Sequence, residues 1–149
     1  MKKTAVVLLC TMLILLSGCS HKEITKYNYL YKGENELWTA EYSLIGTGTC
    51  TKENDRLHYD NDCKEVLTVT YKNDVSELSN VQNLKIEYKI GSSGGSLTEN
   101  HDSSNPLMKK TFTFQSGGKG VAVPLKDTVI KVKVIIDNDE QTLELKYVN

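Results

Sequence analysis

The chain has only two prolines, two phenylalanines and one tryptophan in 149 residues, and its charges nearly cancel, with 18 Lys and Arg against 19 Asp and Glu. That balance excludes the basic footprint with which nucleic-acid binders neutralise phosphates, so no nucleic-acid partner is expected. No apolar run reaches the roughly 20 residues a transmembrane helix needs. A phosphate loop, G-x-S-x-G and H-E-x-x-H are all missing, which removes the common hydrolase and nucleotide chemistries. There is no C-x-x-C and no close pair of histidines, so zinc has no ligand set and no cofactor is expected. His21, His58 and His101 stand apart in the sequence. Nothing arranges an acid, a base and a nucleophile, and a non-enzymatic protein is the expectation.

What is present begins at the N-terminus. Met1-Lys2-Lys3 is a positive n-region, and positions 5–16 form an apolar stretch of signal-peptide length. It ends in Leu16-Ser17-Gly18-Cys19, which resembles the lipobox of bacterial lipoproteins. The resemblance implies transfer of a diacylglycerol to the Cys19 thiol and cleavage before Cys19. Small residues at 17 and 18 fit an extended chain in a peptidase cleft. Two or three palmitate-type acyl chains anchor durably, where one alone is marginal. Three parts are therefore expected: a removed signal peptide (1–18), a lipidated cysteine with a short tether (19–26), and a folded domain (27–149). Loss of Lys2 and Lys3 tilts the remaining chain further toward acid.

Beyond the tether, alternation with period two dominates. Trp38, Ala40, Tyr42 and Leu44 share one face, as do Leu67, Val69 and Tyr71. Leu84, Ile86, Tyr88 and Ile90 alternate with charged residues, and so do Ile130, Val132, Val134 and Ile136. Phe112 with Phe114, and Leu143 with Leu145 and Tyr147, continue the pattern. Segments 27–31, 56–59 and 120–125 are weaker strand candidates. Polar connections at 52–55 and 137–140 suit hairpins. The Gly/Ser/Asn-rich stretch 91–106 reads as a long mobile loop, and 116–120 as a flexible turn. Within 73–83, Leu78, Val81 and Leu84 have helical spacing behind a possible cap, which predicts one helical turn between two sheets. The fold class expected is all-β, an antiparallel β-sandwich of immunoglobulin-like type.

Cys50 and Cys63 remain once Cys19 is committed to lipid. Outside the cytoplasm such a pair points to a structural disulfide, with two reduced thiols as the alternative. Geometry strains the bridge. A hairpin turning at Asn54/Asp55 sets Cys50 opposite about His58, so bridging needs a bend or bulge near Asp60-Asn61-Asp62. Tyr27, Tyr29 and Tyr31 project to one side of an extended strand, near Trp38. They either form a ligand-contact row for a wall glycan or protein, or lie along the core. The acidic pairs Asp60/Asp62 and Asp137/Asp139 either seed an ion site or make turns.

Tyr31-Lys32-Gly33-Glu34, Trp38 and Glu41-Tyr42 form the pattern Y-x-G-E-x-x-x-W-x-x-E-Y. With Leu67-Thr68-Val69-Thr70-Tyr71-Lys72 and Ser76-Glu77-Leu78, it resembles small membrane lipoproteins of Gram-positive bacilli. Cys50 and Cys63 stand outside that pattern. The resemblance implies a lipid-anchored domain on the extracytoplasmic face of the cell membrane. The functional expectation is a binding or interaction module whose partner is an envelope protein or wall glycan. The alternative is an ion or small-ligand sensor using loop 91–106 and an acidic turn.

Overall fold

The computed structural model describes residues 21–148 except Asn54 and Ser92. The expected signal peptide, the motif Leu16-Ser17-Gly18-Cys19 and the expected lipidation at Cys19 lie outside the described residues. Eight strands follow in order: β1 (His21–Glu34), β2 (Trp38–Glu53), β3 (Arg56–Tyr71), β4 (Asn83–Ile90), β5 (Ser93–Asn100), β6 (Thr111–Lys119), β7 (Ile130–Ile136) and β8 (Asp139–Tyr147). All pair antiparallel in one sheet of order β5-β4-β7-β8-β1-β2-β3-β6, curled into a half-barrel. Among the described residues no helix is long and apolar enough to cross a membrane.

The alternation is what curls the sheet. Each strand carries apolar side chains on one face only, and those faces must turn toward each other to leave water. Layer β6-β3-β2-β1 and layer β8-β7-β4-β5 meet only at a narrow seam, where Tyr31 pairs with Tyr147 and Lys32 with Lys146. At the far side the layers touch through the Tyr88 and Phe114 rings, with centroids 5.6 Å apart. Trp38, Tyr31, Tyr42, Phe112, Leu44, Leu67, Leu84 and Leu145 are fully buried between them.

Local chemistry sets the hairpins. Asn35 accepts the amides of Leu37 and Trp38 at 3.0 and 2.8 Å, an Asx turn joining β1 to β2. Asp55 (φ 60°) and Asp137 (φ 53°) take the left-handed backbone required in the tight β2–β3 and β7–β8 turns. The expected helical turn is a short 3-10 segment, Val75–Leu78, capped by Asp74. It carries the chain from β3 to β4, between layers.

Four expectations need correction. The strand order is not immunoglobulin-like: β1, β2 and β3 stay together as a meander, where an immunoglobulin domain crosses sheets after its first hairpin. β1 starts at His21 and pairs with β2 from there, so 21–26 is strand and not tether. Half of the loop expected at 91–106 is strand, β5, paired with β4 along its length. Gly95 lies opposite Tyr88, and a β-carbon on it would come within 2.8 Å of that ring, so glycine admits the aromatic where it would otherwise weaken the strand. Likewise, most of 116–120 belongs to β6, pairing with β3.

Candidate functional site

The first three strands outrun the core. β6 pairs with β3 only as far as Asp62, and β8 reaches β1 only at Tyr31 and Lys32. Beyond those points, β1, β2 and β3 continue alone as a three-stranded arm ending at the β2–β3 turn. The concave side of this arm and the segment 120–128, which crosses beside it, form the candidate site.

The site is built on Gly46 and Gly48 of β2, at positions where the alternation would place inward side chains. A β-carbon on Gly46 would lie 2.6 Å from the Cys63 sulfur, and one on Gly48 would lie 2.6 and 2.8 Å from the Tyr27 and Tyr59 hydroxyls. Their absence lets Cys63 and the two tyrosines fold down onto the sheet. Tyr27 and Tyr59 share a hydrogen bond of 2.5 Å. That bond, helped by burial, pushes the Tyr27 phenol up to about 12. Burial likewise holds the Cys63 thiol protonated by raising its pKa. Deeper in, Glu65 accepts from the Tyr42 hydroxyl at 2.8 Å and the Ser116 hydroxyl at 2.7 Å. Burial first, and then that bond to Glu65, drives the Tyr42 pKa upward.

Asn61 ties the crossing segment to the arm. Its Nδ2 donates to the Val121 carbonyl at 2.6 Å, and its own carbonyl accepts from the Gly120 amide at 3.1 Å. Its side-chain Oδ1 is closed off from solvent and has no partner. Leaving such an acceptor unmet is costly to the fold. Farther along, the Tyr31 hydroxyl donates to the Leu125 carbonyl at 2.9 Å. Lys126 sits over the rings of Tyr29 and Tyr147, 5.6 and 5.1 Å from their centroids. Between arm and segment lies a cleft of about 440 Å³, lined by Tyr59, Asp60, Asn61 and Val121 among others. A smaller cleft of about 150 Å³ continues past Ala122 and Val123 to Ile90 and Gly91.

Among the described residues, the β3 edge beside this cleft is unpaired. Asn61 turns its carbonyl toward Gly120, so the alternation of the ladder points the Tyr59 backbone to the same open side. An extended chain can pair there, alongside Asn61 and Tyr59. A larger hollow of about 530 Å³ lies over β4, β5 and β7, near Lys89, Lys131 and Lys133. Lys133 pairs with Glu140 at 2.7 Å and Lys131 with Glu144 at 3.8 Å, so this is a charge-balanced, solvated face.

The sequence-based candidates scatter. Tyr31 and Trp38 are core residues, Trp38 packed on Tyr71 and Phe112, as the core alternative for this row has it. Tyr27 and Tyr29 are half-buried, Tyr27 against Tyr59 and Tyr29 under Lys126. Cys50 and Cys63 are free thiols, correcting the expected disulfide. Cys50 faces Tyr59 and Cys63 faces Gly46, four residues apart along the ladder, or about 13 Å. No bulge brings them together, and a bridge needs α-carbons within about 7 Å.

The ion-sensing alternative loses its parts as well. Half of its loop, Ser93–Asn100, is strand, and Asp137 spends its carboxylate on the amides of Gln82 and Asn83. Asp60 pairs with His58 at 3.0 Å. Among the described residues, no three His, Cys, Asp or Glu side chains gather as metal ligands. The sequence marks 56–59 and 120–125 only as weak strand candidates and Asn61 only as part of a bend; 120–125 is irregular chain and not strand, and the signal for a site here is Gly46-x-Gly48 inside a strand, a mark of close approach. Comparison with protein-family models, curated proteins and solved structures yields no match.

Proposed function

We propose that this chain is a lipoprotein held on the extracytoplasmic face of the cell membrane through Cys19, and that it serves as a non-enzymatic binding module. The observation that carries the reading is the cleft beside the β3 edge, lined by Tyr59, Asp60, Asn61 and Val121 to Val123, where no strand pairs with β3 beyond Asp62 among the described residues. The partner this suits is an extended segment of an envelope protein. Main-chain pairing along β3 supplies affinity and the Tyr59 side supplies selectivity. A wall glycan is the weaker candidate, because Trp38 and Tyr31 are buried and cannot stack on sugar rings.

The lipobox resemblance supports the anchor, and β1 beginning two residues after Cys19 supports a domain carried close to the bilayer. Photo-crosslinkers placed at Ala122 and at Thr142, on the outer face of β8, test the binding surface in intact cells. A protein adduct is expected from Ala122 alone. Equal capture at both positions, or capture only at Thr142, defeats the cleft. For the anchor, C19S should release the protein from the membrane fraction and abolish acyl labelling.

A further inference from the structure

We infer that the tip of the arm rests on the lipid bilayer, with Leu57 seated at the boundary between headgroups and acyl chains. The inference rests on the anchored reading above and adds a contact that anchoring alone does not require.

Reach makes the first argument. His21 pairs with Lys52, close to the β2–β3 turn. His21 is two positions past Cys19, and an extended chain spans at most about 7 Å over that distance. An acylated Cys19 therefore holds the turn at the level of the headgroups. The arm runs on from there, so the part of the molecule nearest the membrane is this ribbon and not the packed body.

Exposure makes the second. The tip carries Leu57 at 73 % exposure and Tyr59 at 53 %, large side chains on the concave face that have no opposing layer among the described residues, and Ile24, 58 % exposed, on the other face of the ribbon. Leu57 lies one residue from the turn, opposite Lys52, and Tyr59 two residues above it. That spacing, about 7 Å, sets Leu57 at the acyl boundary and the Tyr59 ring at headgroup height, where tyrosine is favoured.

Charge makes the third. Lys22, Lys26, Lys52 and Arg56 stand among Glu23, Glu53, Asp55, Asp60 and Asp62, and Lys52 pairs with Asp55 at 3.0 Å. The tip has no excess of positive charge. Its contact is therefore apolar, not a cationic attraction to the headgroups, and little affected by salt.

The test uses the acylated full chain in vesicles of mixed phosphatidylcholine and phosphatidylglycerol, carrying L57W, with the unsubstituted chain as the blank for Trp38. M108W is the control, an exposed apolar position on the connection ahead of β6, at the opposite end of β3. The L57W emission should shift to the blue, and lipids brominated on the acyl chain should cut it by about half at a depth typical of interfacial segments. M108W should stay in water, quenched by iodide alone, and raising salt should change neither signal. Y59W provides a second probe should L57W perturb the turn. A water-exposed L57W on a chain whose mass shows its acyl groups overturns the tip contact and leaves the anchor standing. Quenching of both probes alike, or loss of the L57W signal in high salt, also overturns it. A chain without acyl mass overturns the anchored reading itself.

Discussion

Leu44 and Leu57 sit on neighbouring strands of one ladder, both on the concave side, yet Leu44 is fully buried and Leu57 is 73 % exposed. The strands, the pairing and the alternation are the same in the body and in the arm. What differs is the second layer: β4, β7 and β8 cover the body, and nothing covers the arm among the described residues. Hydrogen-bonded pairing makes a ribbon, but a core needs an opposing face. The arm is thus a sheet fragment whose apolar side is left for something else, and the clefts and the exposed leucine are consequences of that one difference.

The largest expected effect separates the two regions directly. Leu44→Ala should cost about 2–5 kcal/mol in urea unfolding, because its site is enclosed and collapses poorly. Leu57→Ala should stay within about 0.5 kcal/mol in the free protein. A cost at Leu57 approaching that at Leu44 would mean the arm has a cover in solution, and the comparison would fail. Next comes the joint between the regions. Asn61→Ala removes the bond to the Val121 carbonyl and leaves that carbonyl short of a donor, for a loss of about 1–2 kcal/mol. Hydrogen exchange should show faster opening around Gly120, whose amide bonds Asn61, with the β7–β8 amides unchanged. Uniform acceleration across both layers would make Asn61 part of the body.

The sequence made the body legible and the arm almost invisible. Trp38 to Leu44 and Ile130 to Ile136 announce strands because the pattern has one wet and one dry face. That same pattern continues through Tyr27 and Cys63 to Tyr59, and nothing local tells that the opposing layer has stopped. Where the layers end depends on how far β6 and β8 run, which is a property of distant segments. The Gly91–Gly95 region misled for a related reason: glycine weakens a strand in isolation, and only Tyr88 across the ladder reverses its meaning. Of the candidate site, Tyr27, Tyr29, Tyr31, Cys63 and Asp60 stand out in the sequence, though for separate reasons and not as one cluster. Asn61 was passed over as a turn residue beside two aspartates, since its burial comes from a segment sixty positions away.

Alkaline pH sharpens the contrast through the tyrosines. The Tyr31 phenol, chiefly because of burial, and the Tyr27 phenol, chiefly because of its bond to Tyr59, are both pushed up to about 12 from an ordinary value near 10. The folded chain then holds these protons in a range where the unfolded chain has lost them. Their contribution is complete below about pH 10 and disappears as pH rises through about 12. Melting temperature should fall across that window. Y27F should flatten part of the fall without altering stability at neutral pH by more than about 1 kcal/mol. A fall already complete at pH 9, or one untouched by Y27F, would separate these phenols from stability.

The smallest effect is the one expected of the cysteines, and it probes the border between arm and body. Cys50 stands on the arm opposite Tyr59, half-exposed, whereas Cys63 is buried against Gly46 where the body begins. Four ladder steps separate them, so air oxidation closes no intramolecular bridge, and dithiothreitol should leave the melting temperature of the chain from Ser20 onward unchanged. The thiols should still differ from each other. Reaction needs the thiolate, and burial raises the Cys63 pKa while also shutting out the reagent. A disulfide reagent should label Cys50 in the folded protein and reach Cys63 only as the body opens, so that Leu44→Ala speeds the second reaction and leaves the first alone. If both thiols react at one rate, or if Leu44→Ala accelerates both, then arm and body open as a single unit, and the missing second layer matters less than the shared ladder.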